Sequence, residues 1–304
     1  MFVKNKLNLS ILIPCYNWNV YEFIHKIHVL CQHEDGLNQF EIICIEDASP
    51  MLFANQKINS LQYVKYEKLN KNIGRSRIRN LMAKKAQYEW LLFIDADSKL
   101  SDNFFIKKYI QAIQQNDTCE NVIFYGGTLY LKKQPEKDKI LHWKYGTKIE
   151  SKRKKECFSS HHFLMQKKIF STKEMKKVEF NESISSYGYE DVLFIIENKL
   201  KPVYIENHLY HLGLKNTRKF ISDTEHALKN LIHQSKKNRG VNTQIKILKI
   251  DRLLSIFYLN RIMILFFRVF KNPIIKNLYS NRPSILILQC YKLGYFLTEK
   301  RAIS

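Results

Sequence analysis

The sequence predicts an α/β protein in which a mostly parallel sheet is flanked by helices, followed by a helical carboxyl-terminal extension. Over the first hundred residues, short apolar runs of strand length alternate with segments of helical period, the pattern of βαβ units. The strongest run, Trp90–Ile94, has the length and composition of a buried strand. Beyond Arg218 the strand-like runs cease. We therefore expect one domain over residues 1–218 and the extension over residues 219–304.

Composition bounds the class of protein. The chain has 304 residues, of which 45% are hydrophobic and 26% charged, as in globular rather than disordered or fibrous proteins. Its six cysteines are scattered without a Cys-x-x-Cys pair, which favours reduced thiols in the cytoplasm over a disulfide framework. We expect no signal peptide, because the first apolar run, Leu9–Ile13, has only strand length and is followed by Pro14.

The formal net charge of +22 at pH 7 is compatible with nucleic acid, anionic lipid or a phosphorylated ligand as a partner. The basic residues are dispersed along the chain, however, and part of the excess follows from a composition rich in Lys, Asn and Ile. The sequence contains no recognisable nucleic-acid-binding motif. We therefore expect no nucleic-acid partner.

Four strands and two helices are predicted before residue 95. Apolar residues at positions 20, 23, 24, 27 and 30 have the period of a helix, and so do those at 78, 81 and 82. Short runs rich in branched and aromatic residues predict the strands. In chain order, the predicted elements are the strand Leu9–Ile13, the helix Val20–Gln32, the strands Glu41–Ile45 and Leu61–Tyr66, the helix Ile73–Ala86 and the strand Trp90–Ile94.

After Asp97 the alternation is less regular. Gly126-Gly127 predicts a sharp turn between the strand Asn121–Tyr125 and the segment Thr128–Lys132. The polar and strongly basic segment Gln134–Glu156 is interpreted as a mobile surface loop. The remaining predicted elements are the helix Asn103–Gln115, the strand Phe163–Gln166, the helix Asp191–Lys199 and the strand Val203–Ile205.

The carboxyl-terminal part is predicted to be helical, with an interruption near Gly240. Its longest apolar segment is Leu253–Phe270, and Pro273 and Pro283 break the helix beyond it. The segment contains two arginines and is too polar for a membrane span, which needs about 20 predominantly apolar residues.

The same segment is amphipathic. Arg261, Arg268 and Lys271 share one side of the helical wheel. Residues 245–304 contain eleven Lys or Arg against two acidic residues, a net charge of +9. A basic amphipathic helix indicates peripheral contact with the anionic inner face of a membrane. The alternative is a helical subdomain that packs on the core.

Two carboxylates, Asp95 and Asp97, follow the strand Trp90–Ile94. At the carboxyl end of a central strand, both point into the crevice where open α/β sheets bind ligands. Adjacent negative charges repel unless a cation lies between them, and hard divalent cations bind carboxylate oxygens. The alternative is a strand that runs into a turn stabilised by an Asp side chain.

Similar polar segments follow other predicted strands or begin predicted helices. They are Pro14-Cys15-Tyr16-Asn17, Glu46-Asp47, Asn70–Asn80 with Gly74 and Arg79, Asp95-Ala96-Asp97, and Gly188-Tyr189-Glu190-Asp191. In their order and spacing, these segments resemble the family 2 glycosyltransferases of the GT-A fold, which are nucleotide-sugar enzymes. The resemblance extends from residue 8 to about residue 215.

The resemblance implies an inverting glycosyltransferase with a UDP-sugar as donor. It assigns eight residues to the nucleotide-sugar: Pro14, Tyr16, Asn17, Asp47, Gly74, Arg79, Asp95 and Ala96. Asp47 is expected at the uracil, although Glu46 stands where the family usually has a second Asp. Arg79 either contacts the nucleotide or braces the acidic loops, and an ordinary exposed helix position is the alternative.

By the same resemblance, Asp97 binds a divalent metal ion, Mn²⁺ or Mg²⁺. Such an ion bridges the two phosphates and neutralises charge on the leaving nucleoside diphosphate. His211 is expected as a further ligand, because it follows a late strand that should return beside Asp97. His208 is the nearby competitor, and a structural role is the alternative for either histidine.

The resemblance assigns the catalytic base to Asp191, with Glu190 beside it as the next candidate. A carboxylate beside the anomeric centre can take the proton of the acceptor hydroxyl as the new bond forms. The alternative is that the two acids only stabilise the start of a helix. His161, His162 and Trp143 fall in the half of the fold that should face the sugar and the acceptor; Trp143 either stacks on a sugar or anchors an apolar contact.

We therefore expect an inverting, metal-dependent enzyme that acts on a surface glycan or a lipid-linked acceptor at the cytoplasmic face of a membrane. A nucleotidyltransferase would also hold metal ions with paired acids, but it predicts a Gly-rich phosphate loop where the first strand ends in Pro14–Asn17. A non-enzymatic basic module that binds lipid or nucleic acid leaves the strand-end acids unexplained.

Overall fold

The computed structural model describes residues 6–116, 121–152, 158–171, 178–183, 188–237 and 245–303. The chain divides into two compact units. The first comprises Met1–Leu131, Ser151–Ser185 and Glu190–Gly213, and the second comprises Lys132–Glu150, Ser186–Tyr189 and Leu214–Ser304. The division into domains at residue 218 stays a prediction.

The described part of the first unit contains one eight-stranded sheet. Its strands are β1 (Leu7–Cys15), β2 (Leu37–Glu46), β3 (Val64–Lys68), β4 (Trp90–Ile94), β5 (Ser98–Leu100), β6 (Val122–Leu129), β7 (His162–Gln166) and β8 (Lys201–His211). The order across the sheet is β3-β2-β1-β4-β7-β6-β8-β5. Four neighbouring pairs are parallel and three are antiparallel. The predicted α/β class with a mostly parallel sheet is confirmed.

Helices cover both faces of this sheet. In the first unit they are α1 (Tyr21–Gln32), α2 (Arg75–Lys85), α3 (Phe105–Gln115) and α5 (Glu190–Glu197), numbered in chain order with α4 in the second unit. Successive residues of β1 enter opposite cores: Ile11 and Ile13 pack with α1 and α3, whereas Leu12 packs with α2 and α5. Burial on both faces explains why the parallel strands are apolar throughout.

The topology brings several strand ends to one edge of the sheet. β1, β2 and β4 are parallel neighbours, so their carboxyl ends meet there. β7 is antiparallel to both β4 and β6, and β8 is parallel to β6. β8 therefore runs in the direction of β4 and also ends at this edge. The polar residues that follow these strands are positioned by that arrangement.

The sharp turn predicted at Gly126-Gly127 is wrong, because β6 continues through both glycines. The pairing of β6 with β8 shifts register at this point. A Cβ atom on Gly126 would lie 2.0 Å from the Asn207 carbonyl oxygen, and one on Gly127 would lie 2.3 Å from the His208 ring. The two glycines are needed for close approach of the strands, not for a turn.

The surface loop predicted over Gln134–Glu156 is also wrong for the described residues. The second unit contains α4 (Ile140–Lys148) in this segment. Leu141 and Tyr145 are buried and pack with Ile221. Because the segment is rich in Lys, its sequence pattern does not reveal the apolar face of α4, which is defined by packing against residues distant in sequence. Residues 153–156 lie outside the described residues.

The other described helices of the second unit are α6 (Thr217–Lys237), α7 (Lys246–Ile256), α8 (Asn260–Leu278) and α9 (Ile285–Ile303). The prediction of helices after Arg218 is confirmed. The apolar segment Leu253–Phe270 is divided between α7 and α8, because the chain turns at residues 257–259, where Tyr258 has a φ of 57°. Pro273 lies inside α8 and does not end it. Gly240 lies outside the described residues.

No single helix in the described ranges is long and apolar enough to cross a membrane. α7 and α8 reach the required length and composition only together, and they are bent by 115° at the break between them.

Replacement of Gly294 should destabilise the second unit. Gly294 lies on α9, and a Cβ atom there would lie 2.3 Å from Cγ of Phe267 on α8. Gly294→Ala would therefore force the two helices apart, at a cost of about 1–3 kcal/mol in the free energy of unfolding. Denaturant unfolding measures the effect. The control is Gln289→Ala at an exposed position of α9, expected to change the free energy by no more than about 0.5 kcal/mol. Equal stability of the two variants would contradict the close contact.

Candidate active site

The loop after β1 is tied to the loop after β2. Asn17 has a left-handed backbone with a φ of 52°, and its N–H donates to Oγ of Ser49 at 2.8 Å. Its Oδ1 accepts from the N–H of Met51 at 3.2 Å. Pro14 is half-buried, whereas Tyr16 is exposed beside these contacts. The arrangement leaves an aromatic ring accessible next to the carboxyl end of β1.

Asp47 holds the start of α2. Its Oδ1 accepts from the N–H of Ile73 at 2.7 Å and its Oδ2 from the N–H of Gly74 at 2.9 Å. Gly74 precedes the helix with a φ of 84°, a backbone conformation that glycine tolerates without strain. Asp47 therefore positions the first turn of α2 in addition to any contact with a ligand.

Glu46 is buried behind Asp47 and serves a different purpose. Its Oε2 accepts from the Tyr66 hydroxyl at 2.5 Å and from Nδ2 of Asn55 at 3.1 Å. Burial, together with the bond to Glu46, raises the pKa of Tyr66. The two acids after β2 thus divide their tasks, with Glu46 in the interior and Asp47 at the start of α2.

Arg79 braces Asp95. The side chain of Arg79 is only 2% exposed, and its Nη2 donates to Oδ1 of Asp95 at 2.8 Å. Its guanidinium also lies over the ring of Phe180, 5.4 Å from the ring centroid. An ordinary exposed position is excluded by this burial. Burial raises the pKa of Asp95, although Arg79 and Arg75 oppose that effect.

Asp97 and His211 are brought together as the sequence predicted. Nε2 of His211 lies 3.0 Å from Oδ2 of Asp97, because β5 pairs with β8 at Ser98 and His211. The N–H of Leu212 donates to the Asp97 carbonyl at 2.8 Å. Burial would raise the pKa of Asp97, but the positive charge and hydrogen bond of His211 outweigh it and hold that pKa well below its usual range.

This pair fits a divalent metal ion. Carboxylate oxygens and imidazole nitrogens both bind divalent ions, and Oδ2 of Asp97 and Nε2 of His211 lie 3.0 Å apart. Within the described ranges, no group of three or more His, Cys, Asp or Glu side chains could hold an ion. A metal ion held by this pair would therefore need further ligands from a substrate or from water. His208 lies instead near Tyr204, whose hydroxyl is 3.2 Å from its Nε2.

Gly213 contributes to the pair, although the sequence did not single it out as a site residue. A Cβ atom on Gly213 would lie 1.9 Å from Oδ2 of Asp97. The backbone after β8 thus occupies the space directly beside the carboxylate. The signal in the sequence was the glycine two residues after His211.

Glu190 and Asp191 begin α5 next to a basic residue of α2. Oε1 of the buried Glu190 lies 3.5 Å from Nη1 of Arg75. Asp191 is half-buried, and its Oδ1 accepts from the N–H of Val192 at 2.8 Å. The preceding Tyr189 has a φ of 64°. Asp191 therefore both stabilises the helix start and presents a partly exposed carboxylate.

Arg75 is a second residue that sequence reasoning missed. Its side chain is 49% exposed, and its positive charge lowers the pKa of Asp95 and of Asp97. Arg75 therefore lies among the acids while keeping access to solvent. Its place directly after Gly74 at the start of a helix was the available signal.

His161 and His162 form part of the scaffold beneath the site. The two ring nitrogens of His161 lie 3.0 Å from the hydroxyls of Ser98 and Thr128. The His161 carbonyl accepts from the N–H of Asp95 at 2.9 Å. Burial lowers the pKa of His161 well below its usual value and that of His162 to about 4. Both rings are therefore neutral near pH 7. Trp143 lies on α4 of the second unit, not in a loop.

Comparison with known proteins identifies the family. A family model described as Glycosyl transferase family 2 matches residues 10–172. No protein with a curated description matches the sequence significantly.

The fold is similar to crystal structures of S. aureus TarS. One TarS structure is 15% identical with a TM-score of 0.46, and the match covers 74% of this chain but only 40% of TarS. For TarS 1-349 the identity is 15%, the TM-score 0.49 and the coverage 98% and 91%. For TarS 1-349 in complex with UDP-GlcNAc the values are 14%, 0.47, 74% and 67%.

These TM-scores are all below 0.5, so the assignment depends on the family model, which spans more than half of the 304 residues. The mixed sheet with helices on both faces is the GT-A type that the sequence predicted. The chain belongs to glycosyl transferase family 2 and is a glycosyltransferase of the GT-A fold.

Proposed function

We propose that this glycosyltransferase inverts the anomeric configuration and transfers a sugar from a UDP-sugar to a hydroxyl of a glycan or a lipid-linked acceptor. The proposal includes Mn²⁺ or Mg²⁺ held by Asp97 and His211. The observation that carries it is the 3.0 Å pair of these two side chains, at the sheet edge where β1, β2 and β4 also end. Activity at the cytoplasmic face of a membrane stays a prediction.

The nucleotide would lie along the ends of β1, β2 and β4. The exposed ring of Tyr16 is available to the base, and the half-buried Asn17 follows it in sequence. Asp95, which Arg79 holds by a hydrogen bond, and the buried Ala96 precede Asp97 in sequence. The choice of uridine follows from the resemblance of the Glu46-Asp47 pair to the family motif.

The diphosphate would meet positive charge from two sources. When bound at Asp97 and His211, the metal ion would supply electrostatic stabilisation of the leaving diphosphate. Arg75 offers a half-exposed guanidinium close to the same acids, and guanidinium groups recognise phosphate oxygens by paired hydrogen bonds. Arg79 is already buried against Asp95 and is suited to positioning that acid rather than to contact with phosphate.

Asp191 is the proposed catalytic base. Its carboxylate is partly exposed at the start of α5, whereas Glu190 is buried against Arg75. In a single displacement, Asp191 would take the proton of the acceptor hydroxyl while the hydroxyl oxygen attacks the anomeric carbon and the diphosphate leaves. Family membership supplies the transferase activity, so neither a nucleotidyltransferase nor a non-enzymatic module is retained.

The proposed donor and metal site can be tested together. We expect the protein to release UDP from at least one of a panel of UDP-sugars in the presence of Mn²⁺, and Asp97→Ala to abolish this release. Asp97 is partly exposed after β4, so its removal opens no core cavity, and melting curves recorded beside the assay check that the variant is folded. Calorimetry of UDP binding with and without Mn²⁺ measures the loss of the metal effect.

The matched control for Asp97→Ala is Asp102→Ala, which removes a partly exposed aspartate paired with Lys108 in the same unit. This variant should keep the dependence on Mn²⁺. If Mn²⁺ strengthens UDP binding equally in wild type and in Asp97→Ala, the metal assignment is wrong.

The base assignment predicts a separation of binding from turnover. Asp191→Asn keeps the shape of the side chain but cannot accept the proton, so turnover should fall by about 10²–10⁴ while UDP affinity stays near wild type. Steady-state kinetics with a saturating donor measures the first quantity and calorimetry the second. The comparison variant is Glu190→Gln. A near-normal rate in Asp191→Asn combined with a large loss in Glu190→Gln would transfer the role to Glu190.

Gly213 should control the geometry of the metal pair. The added methyl group of Gly213→Ala would collide with Oδ2 of Asp97 and displace it. A displacement of about 1 Å in an active site can lower the rate of catalysis about 10²-fold. We expect weaker dependence of UDP binding on Mn²⁺, measured by titration with the ion. Gly36→Ala, whose added methyl group would meet Ile110 and Glu34 rather than Asp97, is the control. Unchanged Mn²⁺ affinity in Gly213→Ala would contradict the pairing of Gly213 with Asp97.

A further inference from the structure

The outer face of α7 and α8, defined here by residues 246–278, exposes large apolar side chains. Eleven of them lie between residues 250 and 270: Ile250, Leu253, Ile256, Phe257, Tyr258, Leu259, Ile262, Leu265, Phe266, Val269 and Phe270. The break between the helices presents three in a row, and Tyr258 is 88% exposed. So many large exposed apolar side chains on one short segment of a folded protein indicate a contact with another molecule or a membrane.

This exposure is not a by-product of an incompletely packed helix. On α8, Ile264, Phe267, Ile274 and Leu278 are buried on one face, and the last three pack within the second unit. Ile262, Leu265, Phe266 and Val269 recur at spacings of three and four residues on the opposite face. α8 therefore has two apolar faces, one satisfied by the protein and one directed to solvent.

The charges on this surface are one-sided. All seven basic residues of the segment are exposed: Lys246, Lys249, Arg252, Arg261, Arg268, Lys271 and Lys276. The one acidic residue, Asp251, is buried, and its Oδ2 accepts from Nζ of Lys300 at 2.5 Å. The segment therefore exposes seven basic side chains to solvent and no carboxylate.

We propose that the outer face of α7 and α8 docks on the surface of an anionic lipid bilayer, with both helices lying in the interface. Exposed apolar side chains bordered by Arg and Lys are suited to the boundary between acyl chains and anionic headgroups. The 115° bend between the helices also favours this placement over a continuous span.

A second copy of the chain fits this surface less well. In a two-fold symmetric contact the same patch meets itself, so the seven cations of one copy would face those of the other with no exposed acid of this segment between them. Like charges across an interface are unfavourable. The lipid surface supplies the missing negative charge, and the inference does not depend on the proposed donor or metal.

Vesicle flotation with the full chain tests the proposal. The protein should float with vesicles that mix phosphatidylcholine and the anionic phosphatidylglycerol, and should stay at the bottom with phosphatidylcholine alone. Binding should weaken as salt rises, because ions screen charges beyond a distance of about 8–10 Å near physiological ionic strength. Light scattering of the same sample without lipid gives the oligomeric state.

Two double variants separate the charges from the apolar side chains. Arg261→Gln with Arg268→Gln should weaken partitioning about thirtyfold, or about fivefold for each lost charge. Ile262→Ser with Leu265→Ser should weaken it about tenfold or more. The charge control is Lys26→Gln with Lys107→Gln, two exposed lysines of the first unit, and the apolar control is Phe104→Ser, an exposed side chain of that unit. Both controls should bind as wild type does. Every replaced side chain is exposed, so melting curves should show that all variants fold.

Three results would overturn the proposal. One is failure of the full chain to bind anionic vesicles at low salt. Another is equal binding to neutral vesicles, or equal binding of all variants. The third is a stable dimer in solution that Ile262→Ser with Leu265→Ser converts to monomers without any effect on vesicle binding.

Discussion

Repulsion between carboxylates is the constraint on which the candidate site depends. Asp47, Asp95, Asp97, Glu190 and Asp191 all lie at strand or helix ends of the first unit, and each is buried or half-buried. A buried carboxylate is costly unless a charge or hydrogen-bond donor offsets it. Backbone N–H groups donate to Asp47 and Asp191. The other three acids pair with basic side chains: Asp95 with Arg79, Asp97 with His211 and Glu190 with Arg75. The acids can gather only because these donors are supplied by separate elements.

The two arginines in this arrangement come from one helix and depend on one turn. Arg75 and Arg79 are four residues apart, so they share a face of α2. The direction of that face is fixed where Asp47 receives the N–H groups of Ile73 and Gly74. Arg79 is buried and pairs with Asp95, whereas Arg75 is half-exposed and pairs with Glu190. A change at Asp47 would therefore disturb Asp95 and Glu190 without touching either.

The sequence predicted local features well and tertiary ones less well. β4 was predicted to the residue, because Trp90–Ile94 is buried on both faces and bounded by polar residues. The meeting of Asp97 with His211 followed from strand direction. By contrast, the continuation of β6 through Gly126 depends on the backbone of β8, which no local pattern reveals. Likewise Arg75 acquires its partner from α5, far along the chain, so only its position after Gly74 was available beforehand.

Burial and neighbours, rather than the net charge of +22, indicate what the basic residues can do. Arg79 is enclosed and paired, and so acts within the protein. Arg75 is half-exposed among acids that can share a metal ion, a setting suited to phosphate. The cations of α7 and α8 are exposed among apolar side chains, while the acid of that segment is hidden beside Lys300. A soluble phosphate group suits the setting of Arg75. It does not suit the cations of α7 and α8, because it would leave the neighbouring apolar side chains in water. A ligand that is anionic at its surface and apolar within can contact both the cations and the apolar side chains of α7 and α8.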